Sequence, residues 1–394
     1  MHNSFVVFCV LNAVKGKVVN MIAEKPIMGW NSWNTFGEKI NEELICRTAD
    51  VMCEMGYRDA GYEYVIIDDC WALKERQNGK LVENPKLFPH GMKYVADYIH
   101  SKGLKFGMYS CAGTMTCCGY PSSYGYEFED AKQFAEWGVD YLKYDFCNFP
   151  QCANCENAYL TMAMALKNCG RDIVFAACNW GVDDPAKWMR SHGAHTYRST
   201  VDIFDNRKSF TDIFKAQVTN VESNAPGCYN DMDMLIVGMH GSGNVGLGGC
   251  TSEEYMLHFA LWAFLGSPLI VGSDIRSLPE EDKKTLLCKG LIDINQDSEC
   301  RPPFVISNVD SRYVLMKILS GGRLALMLAN AAEEENGSKD TMSISFDDCG
   351  IHSNTSHRIK FTNAVTGEDV GIFKDFYRTE IKPGRCQVLV GELC

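Results

Sequence analysis

No segment of this sequence concentrates Lys and Arg, and carboxylates outnumber the two by 50 to 38, for a formal charge of -12. Tracking a phosphate backbone needs the opposite balance, so nucleic acid is excluded as an expected partner. Long apolar runs are missing too. The N-terminal "FVVFCVLNAV" is far short of the roughly 20 residues that span a bilayer. It also has no basic n-region and no small-residue cleavage signal after it, so it fails as a signal peptide. The expectation is a cytoplasmic protein with no membrane partner, in which the sequons at Asn336 and Asn354 carry little weight. Internal repeats and low-complexity segments are absent. With 46% hydrophobic and 22% charged residues over 394 positions, the composition is that of a globular chain with one large and one small domain.

Cysteine, by contrast, is plentiful. The nineteen cysteines are scattered through helical and strand patterns instead of framing a short, loop-rich chain. Cys147, Cys152 and Cys155, with Cys117 and Cys118 upstream, come nearest to metal-ligand spacing. Reduced core or loop cysteines are the simpler account, and neither a metal nor a cofactor is expected.

Short apolar, β-rich runs alternate with helical patterns from about residue 26 to 295. The runs are "PIMGWNSW", "YEYVIIDDC", "KFGMYS", "DYLKYDFC", "IVFAACNWG", "HTYRSTVD", "CYNDMDML" and "PLIVGSD". Between them, residues 91–103 carry Met92, Val95, Ala96 and Ile99 on one helical face and end at Gly103. Asn41 suits an N-cap ahead of Glu42 and Glu43, and Thr251 with Glu254 makes a capping box. Eight strand-then-helix units predict an α/β fold, a (β/α)8 barrel over 25–300 after an N-terminal extension, 1–24. Beyond 300 the period changes to two in "RYVLMKIL", "RLALMLAN" and "TMSISF", which predicts a small antiparallel β-sandwich domain over 301–394.

In such barrels the chemistry sits at the C-terminal ends of the strands, and here nearly every run ends in polar residues. They are Asp68 and Asp69, Tyr109, Lys143 and Asp145, Cys178 and Trp180, Arg198 and Asp202, and Asp231 and Asp233. A single Asp at such a place is usually an N-cap for the next helix; several converging on one face ask for another reason. In "YLKYDFC" side chains alternate, so Tyr141, Lys143 and Asp145 share one face and Leu142, Tyr144 and Phe146 the other. With the apolar set against the helices, Lys143 and Asp145 point into the barrel mouth, where the ammonium favours the ionised carboxylate. A structural ion pair is the alternative. Asp202 supplies a second carboxylate, the arrangement glycoside hydrolysis requires.

"MGWNSW", "IDDCW", "FPHGMKYVADYIHSKGLKFGMYS", "GYEFEDAKQFAEWGVDYLKYDFC" and "NDMDML" together resemble glycoside hydrolase family 27, the α-galactosidases, from about residue 26 to the "INQD" at 294–297. The resemblance implies a retaining exo-glycosidase that removes terminal α-linked galactose from an α-galactoside and uses no metal. It implies Asp145 as nucleophile and Asp202 as acid/base, with Trp33, Asp68, Asp69, Tyr109, Lys143, Arg198 and Asp233 lining the sugar pocket. Asp68 and Asp69 both reach one sugar only if the strand bends at Asp68. Cys178 and Trp180 occupy the strand end beside the sugar 2-position, where an indole excludes an acetamido group, so galactose is favoured over N-acetylgalactosamine. Asp at 68 and 69 leans away from the relatives that prefer β-L-arabinopyranose.

The sequence also departs from the family pattern. Gly37 stands where many relatives have the cysteine that pairs with the one in "IDDCW", which leaves Cys70 without that partner. Cys117 and Cys147 hold the positions of a second family disulfide. Cys111, Asn179, Tyr229 and Met232 replace commoner residues and bear on fine specificity. Two other classes compete: an aldolase-type barrel with Lys143 as a Schiff-base lysine, and a catalytically silent sugar-binding protein. The Gly-rich "HGSGNVGLGGC" at 240–250 is either a loop at the mouth, a subunit contact of a homo-oligomer, or a plain flexible loop.

Overall fold

The computed structural model describes residues 21–333, 340–352 and 354–394. The apolar N-terminal run and the Asn336 sequon lie outside them, while Asn354 is exposed. No helix among the described residues is long and apolar enough to cross a membrane.

Eight short parallel strands follow the eight apolar runs: β1 (Met28–Asn31), β2 (Tyr64–Ile66), β3 (Lys105–Cys111), β4 (Tyr141–Asp145), β5 (Val174–Cys178), β6 (Thr196–Arg198), β7 (Tyr229–Asp231) and β8 (Leu269–Val271). From β1 to β7 each pairs with the next in sequence, and β8 pairs with β1. The ring closes just beyond β7, where Leu235 bridges Val271 in parallel and its N–H donates to the Ile270 carbonyl at 2.7 Å. This is the (β/α)8 barrel that the alternating runs predict.

Alternation divides the side chains of β4 as expected. Tyr141 packs in a small cluster with Tyr64, Ile66, Val174, Ala176 and Ile270 inside the ring, whereas Leu142 and Tyr144 join the larger core under the helices. The helix starts follow their caps. Asn41 accepts the Leu44 N–H at 2.8 Å, and the Thr251–Glu254 capping box is complete. The helix Ser252–Leu265 that this box starts is apolar all round and buried for most of its length, the signature of a helix packed on every side. It also reaches the barrel mouth: Trp262 Nε1 donates to the Asp233 carbonyl at 2.8 Å, and buried His258 accepts the Ile236 N–H at 3.2 Å. Burial pushes the His258 pKa down to about 3, which leaves the ring neutral and able to accept.

The C-terminal part is antiparallel. It contains β9 (Phe304–Val309), β10 (Arg312–Leu319), β11 (Arg323–Asn330), β12 (Thr341–Ser345), β13 (Ile359–Asn363), β14 (Asp369–Phe373), β15 (Phe376–Glu380) and β16 (Arg385–Leu393). Six form a sheet in the order β14-β13-β16-β11-β10-β9, and β12 pairs with β15. Phe346, Phe361 and Tyr377 fill the space between the two sheets. Their seam with the barrel is tight: buried Lys317 donates to the Ile294 carbonyl at 3.0 Å, and Phe214 stacks edge-on against Tyr313. At Gly290 a Cβ would overlap the Ala364 carbonyl. Gly290→Ala is therefore expected to cost roughly 1–3 kcal/mol through overpacking, read as a lower denaturation midpoint in urea; an unchanged midpoint would mean that the seam is loose.

Candidate active site

A cavity of about 240 Å3 opens at the C-terminal ends of the strands, lined by Trp33, Asp68, Asp69, Tyr109, Lys143, Asp145, Cys178, Trp180, Arg198, Asp202 and Asp233. The strand register brings them together. Cys111 lies opposite Asp145 and Tyr109 opposite Lys143 across β3 and β4, and Cys178 opposite Arg198 across β5 and β6.

Asp145, the last residue of β4, is buried at the floor. One carboxylate oxygen accepts the Tyr109 hydroxyl at 3.1 Å and the other the Phe146 N–H at 2.9 Å. Burial raises its pKa, while the Lys143 charge and the Phe146 N–H oppose the rise without cancelling it. The Lys143 ammonium does not hydrogen-bond Asp145. It donates to Asp68 at 2.8 Å, and Asn31 donates to the same oxygen at 2.8 Å. Burial alone would lower the Lys143 pKa, but Asp68 and Asp145 hold it well above the ordinary lysine value. The cation therefore sits between two carboxylates and stays charged.

β2 ends at Ile66, so strand alternation stops before Asp68 and Asp69, and both carboxylates reach the cavity. Asp69 is fixed from behind: one oxygen accepts the Cys70 N–H at 2.7 Å and the other the Cys118 N–H at 3.0 Å. Burial nevertheless leaves its pKa raised.

Arg198 is the second buried cation. Its Nη2 donates to Asp202 at 2.9 Å and its Nη1 reaches Asp233 at 3.1 Å. The Asp202 side chain is 66% exposed at the rim, in contrast to Asp145 at the floor. Partial burial would raise its pKa, but the charge and hydrogen bond of Arg198, with help from Lys143, take it below the usual carboxylate range. Asp233 accepts the Ile203 and Met234 N–H groups at 2.8 and 2.7 Å, which ties the end of β7 to the segment that carries Asp202.

Three non-glycine residues beside the cavity have left-handed backbone: Cys70 (φ 73°), Trp180 (φ 58°) and Asp233 (φ 79°). Such strain gathers where the surrounding fold fixes a functional group. Cys117 and Cys147 are joined as a disulfide, with Cα atoms 5.1 Å apart, and Cys117 Sγ lies 3.8 Å from the Asp145 carboxylate. Cys155 is instead a buried free thiol at a helix start and Cys152 is exposed.

Sequence reasoning missed Asn31, which lies within the quoted "MGWNSW", and also Asn34, Phe204, Asn244 and Val245 on the cavity wall. The last two belong to the glycine-rich segment, so that segment lies at the mouth. Buried Asp205 holds it there, accepting the Gly241 N–H at 2.6 Å and the Tyr255 hydroxyl at 2.8 Å. At Gly243 a Cβ would come within 2.9 Å of the Asn34 carbonyl. Glycine density was the available signal, but its meaning depended on a partner segment some 200 residues away.

A family model described as alpha galactosidase A matches residues 25–297. The alpha-galactosidase A of Cellvibrio japonicus is 40% identical over 324 residues, 79% of this chain and 78% of that protein. The crystal structure of α-galactosidase I from Mortierella vinacea superposes with a TM-score of 0.87 at 33% identity, covering 94% of this chain and 97% of that one. The α-galactosidase of Saccharomyces cerevisiae, solved with raffinose, gives 0.85 at 26% identity, covering 95% and 98%. The chain thus belongs to the α-galactosidases of glycoside hydrolase family 27, and it is a glycoside hydrolase.

Proposed function

We propose that the chain is an exo-acting α-galactosidase that hydrolyses terminal α-linked galactose with net retention. The observation that carries this reading is the placement of Asp145 at the floor and Asp202 at the rim of one small, carboxylate-rich cavity. At about 240 Å3 it falls below the roughly 300–1,000 Å3 of drug-sized sites and suits one sugar ring, with the rest of the substrate outside. Carboxylate acceptors match the hydroxyl donors of a neutral sugar, and an indole offers its face to the apolar side of the ring. The relatives named above support galactose, and the yeast protein's raffinose complex supports an oligosaccharide galactoside.

In the first step an Asp145 oxygen attacks the anomeric carbon while the bond to the aglycone oxygen breaks, and Asp202 gives that oxygen its proton. In the second, water attacks the same carbon, its proton passes to Asp202, and the bond to Asp145 breaks to restore the carboxylate. Two inversions give retention, a route that needs the carboxyl groups about 5 Å apart. Proton NMR of the reaction tests this: the α anomer of galactose is expected first, and the β anomer appearing first would refute double displacement. An aldolase role for Lys143 is disfavoured, because an ammonium held by Asp68 and Asp145 is a poor Schiff-base nucleophile.

Trp180 projects into the cavity from a left-handed backbone position and packs edge-on against Phe146, ring centroids 5.9 Å apart. Gly fits such a position without strain. Trp180→Gly is expected to raise kcat/KM for an N-acetyl-α-galactosaminide relative to the α-galactoside by roughly tenfold or more. An unchanged ratio on the paired nitrophenyl substrates would remove Trp180 from specificity.

A further inference from the structure

Cys70 lacks the cysteine partner that the family resemblance would place at Gly37, so what its thiol faces in this chain is an open structural question. It faces Cys118. The two sulfurs and a carboxylate oxygen of Glu38 all lie within 4.8 Å of one another. Cys70 is buried, Cys118 half-buried and Glu38 exposed, so the cluster has a dry side and a side open to solvent. It also stands directly behind the sugar cavity, because the backbone N–H groups of Cys70 and Cys118 are the two that hold Asp69.

We propose that Cys70, Cys118 and Glu38 form a binding site for a thiophilic divalent cation of the zinc or cadmium class. Zinc binds Cys sulfur at about 2.3 Å and carboxylate oxygen at about 2.0–2.2 Å. Tetrahedral placement at those lengths sets the ligand atoms roughly 3.5–3.8 Å apart, so three atoms within 4.8 Å need only small side-chain rotations to converge. Three protein ligands leave the fourth position to water on the Glu38 side.

The alternative fate of two facing thiols is a disulfide, which would take up no cadmium. Disulfide formation needs a thiolate and an acceptor for two electrons. Cys70 and Cys118 are both free thiols in this structure, and an oxidised pair would have no thiolate to offer a metal. The carboxylates of Glu38 and Asp69, which lie beside the two cysteines, attract a dication. Exchange is also balanced in charge: two thiol protons leave as one dication enters, so the cluster keeps the single negative charge of Glu38.

The test is a cadmium titration of the full-length, chelator-treated chain against a competing chelator, read by thiolate-to-cadmium charge-transfer absorption in the ultraviolet. The wild type is expected to take up one tight equivalent that Cys118→Ser and Cys70→Ser both lose. Glu38→Gln should keep the band and weaken binding by on the order of tenfold or more. Cys155→Ser, a buried thiol outside the cluster, should titrate like the wild type. Because Cys70→Ser risks misfolding at its buried position, Cys118→Ser at the half-buried one is decisive. Full retention of the tight equivalent in Cys118→Ser overturns the site, as does the absence of a tight equivalent from the wild type.

Discussion

Asp145→Asn is expected to lower kcat on a chromogenic α-galactoside by on the order of 10⁵-fold, the scale seen when a covalent nucleophile is removed. The expected loss is chemical more than structural. Asn has the same shape, and its amide oxygen can still accept either the Tyr109 hydroxyl or the Phe146 N–H that the carboxylate accepts now. The folded chain and its affinity for galactose should persist, as checked by thermal denaturation and calorimetric titration. A more specific readout separates a nucleophile from a merely structural acid. Asp145→Gly opens space on the face from which Asp145 attacks, and azide supplied there should restore turnover of an activated substrate and yield β-galactosyl azide. An Asp145→Asn enzyme of wild-type rate would sink the assignment, and α-galactosyl azide as the only rescue product would place the nucleophile elsewhere.

Much of this arrangement could be read from local sequence. A strand of period two that reverses its rule at "KYD" needed only side-chain alternation to put Lys143 and Asp145 on the inner face, and the packing of Tyr141 inside and Leu142 outside follows that rule. The capping box at Thr251 and the N-cap at Asn41 were legible for the same reason: their partners lie three residues away. What escaped depends on distant segments meeting. Lys143 and Asp145 are two apart, and alternation implied a direct pair, yet the ammonium bonds to Asp68, 75 positions earlier. The run "YEYVIIDDC" suggested a strand through both aspartates, whereas pairing stops at Ile66, and that early stop frees Asp68 and Asp69 from alternation. The Gly-rich segment at 240–250 had no local clue to its place, because Asp205 and Asn34 anchor it from elsewhere in the chain.

Asp202→Asn is expected to slow hydrolysis of an unactivated galactoside such as raffinose by roughly 10²–10⁴-fold, the usual worth of a general acid. Nitrophenyl galactoside should suffer much less in the galactosyl-transfer step, since its leaving group departs without a proton. The pH profile carries the second half of the argument. In the free enzyme burial raises Asp145 and Arg198 lowers Asp202, so the first proton to bind the pair goes to Asp145, the wrong partner for attack. The productive form, with Asp145 ionised and Asp202 protonated, has the same net charge and differs only in where that proton sits. Two coupled carboxyls titrate as a pair, and kcat/KM should follow the singly protonated state. It should fall at high pH as the pair loses its proton and at low pH as it gains a second. Arg198 is the expected lever: a sugar hydroxyl that drew its Nη2 away from Asp202 would return the proton to the rim, where the leaving oxygen needs it. In Asp202→Asn no acid has to stay protonated, so the alkaline limb should vanish from pre-steady-state release of nitrophenol, while the acid limb remains as Asp145 protonates. Removing the Asp202 charge also takes away one of the effects that raise Asp145, so Asp145 should bind its proton less readily there than it binds the first proton of the intact pair. An alkaline limb that survives the substitution would assign the proton donor to another residue of the cavity.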